Sequence, residues 1–424
     1  MREGLRRLTL RGRAFLAAGI TAVVCAIVLD QAQLSRIGVL LVVLALATAY
    51  VVGRGRYRLA LVRTVTPHVV TAGQPARVEL VITNEGWIPT GSLLLEEALP
   101  YALGSRPRFV VDRLGPGWRR QVDYQVRSDV RGRYDVGPMS VRVTDAFGLV
   151  ELGRAFQTTA QLVVTPRTVE LSPIALGGAR SAAGDSRPRA FAIGSAEDVT
   201  VREYRRGDDL RRVHWRSSAR VGELMVRREE QPWQARATVF LDNRALAHRG
   251  AGAGSSFEAA VVAAASVLVH LAQRGYTVRL VTASGEVTGG RWHDRTAGAD
   301  ATEMLQALAD VQLVPTPTVD AGWAGEASAG GLTVAIVGSV DDADLSVLRR
   351  VRHQAGSALG IALDVGAWAG GVPGHAGMPA LVQHGWRAAV LHPQDRLDEV
   401  WRQLGRRRAA NAATSGSTDP AEVI

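Results

Sequence analysis

The sequence predicts an α/β C-terminal domain, preceded by a small antiparallel β-sandwich and an N-terminal hairpin of two transmembrane helices. Three observations predict this architecture. They are two uncharged apolar runs near the N-terminus, period-two alternation between residues 57 and 166, and alternating strand and helix patterns after residue 236. A chain of 424 residues is long enough for two or three domains, each with its own core.

The composition limits the chemistry open to the chain. All 50 basic residues are arginine, against 40 acids, which gives a formal net charge of +10. Because lysine is absent, no Schiff base, Ser-Lys dyad or phosphate-loop lysine can form, and a nucleotide hydrolase of the phosphate-loop type is excluded. The single Cys25 lies in an apolar run, so neither an intrachain disulfide nor a cysteine metal site is expected. Acids accompany the arginines in most segments, which disfavours nucleic-acid binding.

Residues 14–29 and 37–52 carry no charge and are predicted to be two transmembrane helices joined by a short loop. As helices these runs would each be about 24 Å long, and flanking arginines can snorkel to complete a span of about 30 Å. A cleaved signal peptide is the alternative, but Asp30 spoils the cleavage pattern at Ala32 and a second apolar run follows at once. Arginines flank both outer ends of the hairpin. The positive-inside rule therefore places the N-terminus and the large C-terminal portion in the cytoplasm, beneath the plasma membrane.

A β-sandwich is predicted for residues 57–166. The stretch "ARVELVITN" places Val78, Leu80 and Ile82 on one face, and "RQVDYQVRS" and "MSVRVTD" repeat the alternation. Turn clusters rich in Asn, Gly and Pro separate these runs. Several short strands over about 100 residues favour a small antiparallel sandwich. Asp145, in "DAFGLVEL", is interpreted as a turn residue rather than as a functional acid.

The C-terminal part alternates strands and helices. It starts with the strand "ATVFLD", which ends at Asp242, and a helix that begins near Ser255 or Ser256 and stops at Gly275. The other predicted elements are strand 276–283, helix 299–310, strand 332–338, helix 342–354, strand 359–365, strand 387–392 and helix 395–406. This alternation favours a doubly wound, mainly parallel sheet covered by helices.

In such a sheet, ligands gather beyond the carboxyl ends of the strands, which makes Asp242 the best-placed acid. The stretch "FLDNRAL" resembles the metal-ion-dependent adhesion site of von Willebrand factor type A domains, in which Asp-x-Ser-x-Ser supplies Mg²⁺ ligands. Here Asp242 is kept, but Arg244 and Leu246 replace the two serines, and Mg²⁺ requires oxygen donors. No Mg²⁺ or other cofactor is therefore expected. Asp242 is a weak metal-ligand candidate in a degenerate site, and it is predicted to form a salt bridge with Arg244. Asp341 and Asp342 are predicted to cap a helix.

Residues 201–230, "VREYRRGDDLRRVHWRSSARVGELMVRREE", contain nine arginines and six acids. A nucleic-acid grip would need an uncompensated positive stripe and stacking aromatic residues, which this stretch lacks. A hydrolase could use Asp208, Asp209 and His214, together with Asp242, for acid–base work. The interpretation we favour is an arginine–carboxylate lattice that displays a recognition surface.

Locally, the same stretch predicts three short elements. "VREY" is extended, Gly207 makes a turn, and Asp208 or Asp209 caps a short helix that runs through Ala219. "ELMVRREE" is then predicted to be a strand with Leu224 and Val226 pointing inward.

This stretch closely resembles the signature of the domain of unknown function 58 family. The matching residues are Arg202, Glu203, Tyr204, Gly207, Asp208, Asp209, Arg212, Trp215, Ser217, Ala219, Arg220, Glu223 and Leu224. With the upstream "RGRYDVGP", "DAFGL" and the apolar hairpin, the resemblance covers nearly the whole chain. It implies a membrane-anchored bacterial protein with a von Willebrand type A-like (Rossmann-like) domain and no established biochemical activity. Members are commonly encoded beside MoxR-type AAA+ ATPases and transglutaminase-like membrane proteins.

We therefore expect a membrane-anchored adaptor without catalysis of its own. Its cytoplasmic α/β domain would bind a protein partner, a MoxR-type ATPase and also a transglutaminase-like membrane protein, in cell-envelope assembly or maturation. No nucleic-acid partner is expected. The predicted organisation is a basic N-terminus at 1–13, the hairpin at 14–53, the sandwich at 57–166, a linker at 172–195, the signature segment and α/β domain at 196–407, and a disordered tail at 408–424.

Overall fold

The computed structural model divides the chain into two compact units, Met1–Arg167 with Leu305–Val311, and Thr168–Met304 with Gln312–Ile424. The first unit contains the N-terminal helices and the β-sandwich, and the second contains the parallel sheet. The residues that the structure describes are 8–54, 58–87, 89–145, 147–176, 200–204, 213, 215–228, 236–285, 287–288, 301–324, 331–371 and 377–415.

Two apolar helices, α1 (Leu10–Val28) and α2 (Ala32–Arg54), form the N-terminal hairpin. Each is long and apolar enough to cross a membrane. Both extend beyond the predicted uncharged runs, because polar residues at their ends continue the helix instead of joining the loop. The two helices approach closely at Gly19 and Gly38, where an added Cβ would lie 3.0 Å and 2.9 Å, respectively, from the other glycine's oxygen. Small residues allow such close backbone approach between membrane helices.

Ten strands follow the hairpin. They are β1 (Leu59–Thr66), β2 (Val69–Thr71), β3 (Pro75–Asn84), β4 (Ser92–Glu97), β5 (Arg108–Val111), β6 (Arg119–Arg127), β7 (Gly132–Val136), β8 (Met139–Thr144), β9 (Glu151–Phe156) and β10 (Ala160–Thr165). They form three sheets, with the orders β1-β3-β6, β2-β10-β7 and β5-β4-β8-β9. The pairs are antiparallel except for β2 with β10, which is parallel.

The alternating faces of these strands build one core. Val78, Leu80 and Ile82 of β3 are buried, and they belong to the same cluster as Leu93 of β4 and Val141 of β8. Alternation with a period of two brings every second side chain of a strand to this core. The predicted β-rich segment and the inward face of β3 are therefore confirmed.

Asp145 organises the turn between β8 and β9. Its carboxylate accepts hydrogen bonds from the backbone N–H of Phe147 (3.1 Å) and of Val150 (2.7 Å). An aspartate that bonds to the backbone just ahead of it stabilises a tight turn. The interpretation of Asp145 as a turn residue is confirmed.

The C-terminal part of the chain alternates strands and helices. They are β11 (Thr200–Glu203), α3 (Trp215–Val221), β12 (Met225–Arg228), β13 (Arg236–Leu241), α4 (Ser256–Gln273), β14 (Thr277–Thr282), β15 (Val287–Thr288), α5 (Ala301–Asp310), β16 (Leu332–Val337), α6 (Asp342–Gln354), β17 (Ser357–Leu363), α7 (Val365–Trp368), α8 (Met378–Gln383), β18 (Arg387–Leu391) and α9 (Leu397–Ser415). Six strands form one sheet in the order β15-β14-β13-β16-β17-β18, and only the edge strand β15 is antiparallel. The prediction of a mainly parallel sheet is confirmed.

Local capping signals set two helix starts as predicted. The Ser255 side chain accepts a hydrogen bond from the backbone N–H of Glu258 at the start of α4 (3.3 Å). Asp341 caps α6 in a reciprocal arrangement with Asp344. Helix α4 is a third helix long and apolar enough to cross a membrane, but it packs against β13, β14 and β16.

An extended segment, residues 168–176, is attached to the α/β unit. The backbone N–H of Val169 donates to the hydroxyl of Ser266 (2.9 Å), and the indole N–H of Trp401 donates to the carbonyl of Ser172 (3.0 Å). Bonds to both α4 and α9 hold this segment at defined points. The predicted linker therefore begins with residues that the domain binds.

One predicted boundary falls differently in the structure, and one predicted segment is described only in part. Residues 177–195 of the predicted linker lie outside the described residues. Helix α9 continues to Ser415, so the predicted tail at 408–424 is helical at its start. No Gly or Pro occurs between 406 and 415, so the sequence offers no stop residue within this stretch before Gly416.

Candidate functional site

The strand order of the parallel sheet reverses direction between β13 and β16. In doubly wound sheets, the crevice beyond the carboxyl ends of two such strands is where ligands bind. Asp242 follows β13 directly, and its backbone N–H donates to the carbonyl of Ile336 in β16 (2.9 Å). Asp242 is fully buried at this position.

The guanidinium of Arg244 fills the crevice. Its Nε and Nη2 each lie 2.9 Å from one carboxylate oxygen of Asp242, a bidentate arrangement, and its Nη1 lies 2.7 Å from Oδ1 of Asp344. Nη1 also donates to the carbonyl of Pro317 (3.0 Å). All three charged side chains are almost completely buried. The predicted salt bridge between Arg244 and Asp242 is present, and Asp344 is a second partner that the sequence did not indicate.

Charge and burial act against each other in this cluster. Burial lowers the pKa of Arg244, but the hydrogen bonds and charges of Asp242 and Asp344 outweigh this effect and raise it above its usual value. Burial raises the pKa of Asp344, and its bond to Arg244 opposes that rise. The arginine therefore stays charged and offsets part of the negative charge of the two carboxylates.

Backbone contacts on both sides hold the loop that carries this cluster. The side chain of Asn243 donates to the carbonyl of Gln312 (2.9 Å) and accepts from the backbone N–H of Ala283 (3.0 Å). On the other side, the backbone N–H of Ser339 donates to the carbonyl of Ala247 (2.9 Å). The loop is therefore fixed between β14 and β16, and the guanidinium is held in one position.

His248 completes the buried polar network. Its Nε2 lies 2.8 Å from the backbone carbonyl of Asp242, and its Nδ1 lies 3.1 Å from the hydroxyl of Ser256. Because a carbonyl oxygen only accepts, Nε2 carries the proton in the neutral ring. Burial lowers the pKa of His248. The sequence offered no signal for this histidine, since its partners are set by the loop fold.

The carboxylate of Asp242 is already bonded in a way that disfavours metal binding. Both carboxylate oxygens already bond to Arg244, and the side chain of Leu246 is 62% exposed. No group of three or more His, Cys, Asp or Glu side chains that could hold a metal ion occurs among the described residues. The arrangement is that of a closed crevice, in which one guanidinium bonds to two buried carboxylates.

A second polar site lies near the end of β18. Asp364 caps α7, and one of its carboxylate oxygens lies 3.0 Å from Nδ1 of His392. His392 lines an open cleft of about 1110 Å³, together with Glu170, Ser255 and Asp398. Part of the attached segment 168–176 forms one wall of this cleft.

The predicted signature segment forms a small substructure of its own. Strands β11 and β12 pair antiparallel, and helix α3 lies between them in the chain. The backbone N–H of Tyr204 donates to the carbonyl of Leu224 (2.8 Å), and the hydroxyl of Ser218 accepts from the backbone N–H of Met225 (2.9 Å). Gly222 ends α3 with a φ of 84°, a conformation that favours glycine.

Three apolar side chains of this substructure face solvent. Trp215 is 69% exposed, Val221 is 60% exposed and Leu224 is 41% exposed. The expectation that Leu224 points inward is therefore wrong, because this residue precedes β12 instead of lying within it. The same expectation for Val226 stays a prediction, since its side chain lies outside the described residues. Exposed apolar side chains that cluster together mark interaction sites more often than scattered ones do.

The structure brings together only part of the predicted site. Arg202, Glu203, Tyr204, Trp215, Ser217, Ala219, Arg220, Glu223 and Leu224 belong to the substructure of β11, α3 and β12 or to its connections. Gly207, Asp208, Asp209, Arg212 and His214 lie outside the described residues. The arginine–carboxylate lattice and the acid–base alternative at Asp208, Asp209 and His214 therefore stay predictions.

Comparison with known proteins gives one match to a family. Residues 200–333 match the sequence model of the family described as "Protein of unknown function DUF58". This range includes β11, α3, β12 and the Asp242–Arg244 crevice. No curated protein matches the chain.

Several solved structures resemble parts of the chain. The CARDB domain of the PF1109 protein from Pyrococcus furiosus is 20% identical, covers 26% of this chain and 90% of its own, and has a TM-score of 0.20. Alpha-2-macroglobulin from Escherichia coli, from domain MG7 to the C-terminus, is 19% identical, with coverages of 27% and 18% and a TM-score of 0.22. A complex of zinc 2-glycoprotein and prolactin inducible protein from human seminal plasma is 10% identical, with coverages of 26% and 99% and a TM-score of 0.20. TM-scores this low do not indicate a shared fold or function.

Proposed function

Because the chain belongs, through residues 200–333, to the family of proteins of unknown function DUF58, we propose that it is a membrane-anchored adaptor without catalysis of its own. The observation that carries this proposal is the closed crevice. The acid best placed for a metal or a reaction, Asp242, is bonded through both oxygens to Arg244. A crevice whose best-placed acid is already bonded from within favours binding at the surface of the domain over chemistry at its sheet edge.

The proposal includes a von Willebrand type A-like fold for the α/β unit. Its support is the strand order, which runs outward from β13 in both directions, with helices between successive parallel strands. In this fold, Arg244 takes the place of a metal-ligating serine, and its positive charge replaces that of the ion beside Asp242.

Anchoring rests on the hairpin of α1 and α2. Both helices meet the length and hydropathy that a membrane span requires. The arginines before α1 and after α2 support an orientation with both ends of the hairpin, and all that follows it, in the cytoplasm. Protease added to intact spheroplasts should therefore leave the sandwich uncut, and cleavage from outside would refute this topology.

The partner surface that we propose is the exposed apolar group of Trp215, Val221 and Leu224. It lies in the segment that carries the family signature, where aromatic residues form effective anchors for protein partners. By the resemblance of the sequence, the partner is a MoxR-type AAA+ ATPase, and a transglutaminase-like membrane protein belongs to the same assembly. The process served is assembly or maturation of the cell envelope.

A photoreactive amino acid in place of Trp215 tests this proposal in native membranes. The matched control carries the same group at Val382, which is 45% exposed on α8, outside the family match. We expect an AAA+ ATPase to be cross-linked from position 215 and not from position 382. Equal capture from both positions, or no ATPase in cells that express one, would refute the adaptor in this form.

The alternative function is a hydrolase that uses Asp208, Asp209, His214 and Asp242. Alanine at Asp208 and at His214 separates the two functions. Loss of a turnover with cross-linking from position 215 unchanged would favour the enzyme, whereas loss of cross-linking alone would favour the adaptor.

A further inference from the structure

Three exposed aromatic side chains lie on three separate loops of the β-sandwich. Trp87 is 92% exposed, Trp118 is 67% exposed and Phe147 is 60% exposed. They belong to the connections between β3 and β4, between β5 and β6, and between β8 and β9. Aromatic rings this accessible are costly to leave in water, and a common location of such tryptophans in membrane proteins is the lipid headgroup region.

Strand register places the three loops at one end of the sandwich. Asn84, the last residue of β3, accepts a backbone hydrogen bond from Gly117 (2.8 Å), and its side chain donates to the carbonyl of Leu114 (3.1 Å). The same carbonyl accepts from the backbone N–H of Thr90 (2.9 Å), which ties the first two loops together. The third loop follows Thr144, which is paired with the first residue of β4. The three loops therefore form one continuous surface, here called the aromatic end.

The aromatic end is attached to the apolar hairpin. Thr9, which caps α1, donates from its backbone N–H to the carbonyl of Leu149 (2.9 Å) and from its hydroxyl to the carbonyl of Gly148 (2.6 Å). At the other helix, residues 55–58 join the end of α2 to the start of β1. A link this short spans at most about 18 Å. Strand β1 starts opposite Asn84, so both connections to the hairpin reach the same end of the sandwich.

Charge at the aromatic end fits an anionic surface. The exposed arginines on the loops, on the first turn of α1 and on the adjoining strand starts are Arg11, Arg13, Arg58, Arg113, Arg119 and Arg120. The exposed acids of the described loop residues are Glu85 and Asp112. Arginines next to a membrane are attracted to the negative lipids of the cytoplasmic leaflet.

We propose that the aromatic end lies in the headgroup region of the bilayer, with Trp87, Trp118 and Phe147 between the lipid headgroups and the exposed arginines against anionic phosphates. This proposal rests on the anchoring of the hairpin in the membrane. It adds a second contact, because the sandwich is then held against the leaflet by its loops as well as by the helices. The orientation of the sandwich relative to the membrane is thereby fixed.

Tyr101 supplies a matched control. It is 99% exposed and follows β4, at the end of the sandwich opposite to the start of that strand. Tyr101 is more exposed than any of the three aromatic residues, and at the far end of the sandwich it should remain in water. A second control, Val24, is 55% exposed on α1 within the apolar hairpin and should lie in the hydrocarbon.

The experiment uses single nitroxide labels on the full chain. Cys25 is the only cysteine, so Cys25→Ser gives a clean background. Trp87→Cys, Trp118→Cys, Phe147→Cys, Tyr101→Cys and Val24→Cys are labelled one at a time and reconstituted in vesicles of phosphatidylcholine and phosphatidylglycerol. Power saturation of the electron spin resonance signal compares access of oxygen, which concentrates in lipid, with access of a water-soluble nickel complex.

We expect the ratio of oxygen to nickel access to be severalfold higher at positions 87, 118 and 147 than at position 101. An oxygen-to-nickel ratio at those three positions equal to the ratio at position 101 would overturn the proposal. The aromatic residues would then be covered by a protein partner instead of lipid. The label at Val24 separates this failure from failure of the anchor. A water-like ratio at position 24 refutes the hairpin as a membrane span, whereas a lipid-like ratio there confines the failure to the loops.

A second measurement leaves the aromatic residues in place. Lipids brominated near the headgroup quench tryptophan fluorescence on contact, and the chain has nine tryptophans. Quenching should fall in the Trp87→Ser, Trp118→Ser double variant and stay at the wild-type level in Trp215→Ser. Equal quenching in all three proteins would count against the proposal.

Discussion

Replacing Arg244 by methionine tests the buried ion cluster at the crevice. The substitution keeps an apolar chain of similar length but removes the charge that bonds to Asp242 and Asp344, both of which are buried. Removing one partner of a buried ion pair leaves an uncompensated charge, and this destabilises proteins by about 3–5 kcal/mol. For a domain of this size, each 1 kcal/mol corresponds to roughly 2–4 °C in Tm, so we expect Tm to fall by about 10 °C.

The assay is thermal unfolding of the full chain in detergent, followed by circular dichroism. The control is Arg249→Met, because the exposed Arg249 guanidinium donates to the backbone carbonyls of Leu246 and His248 and to no carboxylate of the described residues. We expect that control to stay within about 1 kcal/mol of the wild type. Replacing Asp344 by asparagine in the Arg244→Met background should recover part of the loss, since it removes one of the two stranded charges. If Arg244→Met unfolds at the same temperature as Arg249→Met, the guanidinium does not stabilise the two buried carboxylates, and the reasoning fails.

Three further predictions follow from particular contacts. Gly12→Val should lower the Tm of the sandwich in the same thermal assay, because a Cβ at Gly12 would lie 2.2 Å from a backbone oxygen of the β8–β9 turn. Ala17→Val is the control and should leave that Tm unchanged. Burial holds the pKa of His248 below 6.5, so the unfolded chain binds its proton first. Urea unfolding should therefore show stability falling by up to about 1.4 kcal/mol per pH unit below 6.5, with a smaller slope in His248→Gln. The Arg244→Ser, Leu246→Ser variant restores Asp-x-Ser-x-Ser and should gain Tm with Mg²⁺, as measured by thermal unfolding; no gain would count against the von Willebrand type A-like assignment.

Local physics explains what could be predicted from the sequence. Burial of Val78, Leu80 and Ile82 follows from alternation alone, because a strand sends every second side chain to the same face. The start of α4 at Ser255 and of α6 at Asp341 follows from capping, in which a side chain satisfies backbone N–H groups a few residues ahead. Each of these signals acts over fewer than five residues, so one sequence suffices to find it.

Contacts between distant residues explain what could not be predicted. Arg244 and Asp344 are 100 residues apart, and they meet only because β13 and β16 lie side by side in the sheet. The sequence predicts both strands but not their order. Asp341 and Asp342 indicated a helix cap, and nothing in the sequence shows that Asp344, which completes this cap, also faces a guanidinium.

The closed crevice has a consequence for where this domain can bind a partner. A parallel sheet ordinarily presents its ligand site at the switch point, where the strand ends and the following loops leave a gap. Here the gap holds Arg244 and the surrounding loop is bonded to β14 and β16 through Asn243 and Ala247. A ligand at this place would have to displace a guanidinium that two buried carboxylates hold. The proposed partner surface, which includes Trp215 and Val221, needs no such displacement because these apolar side chains are already exposed to solvent.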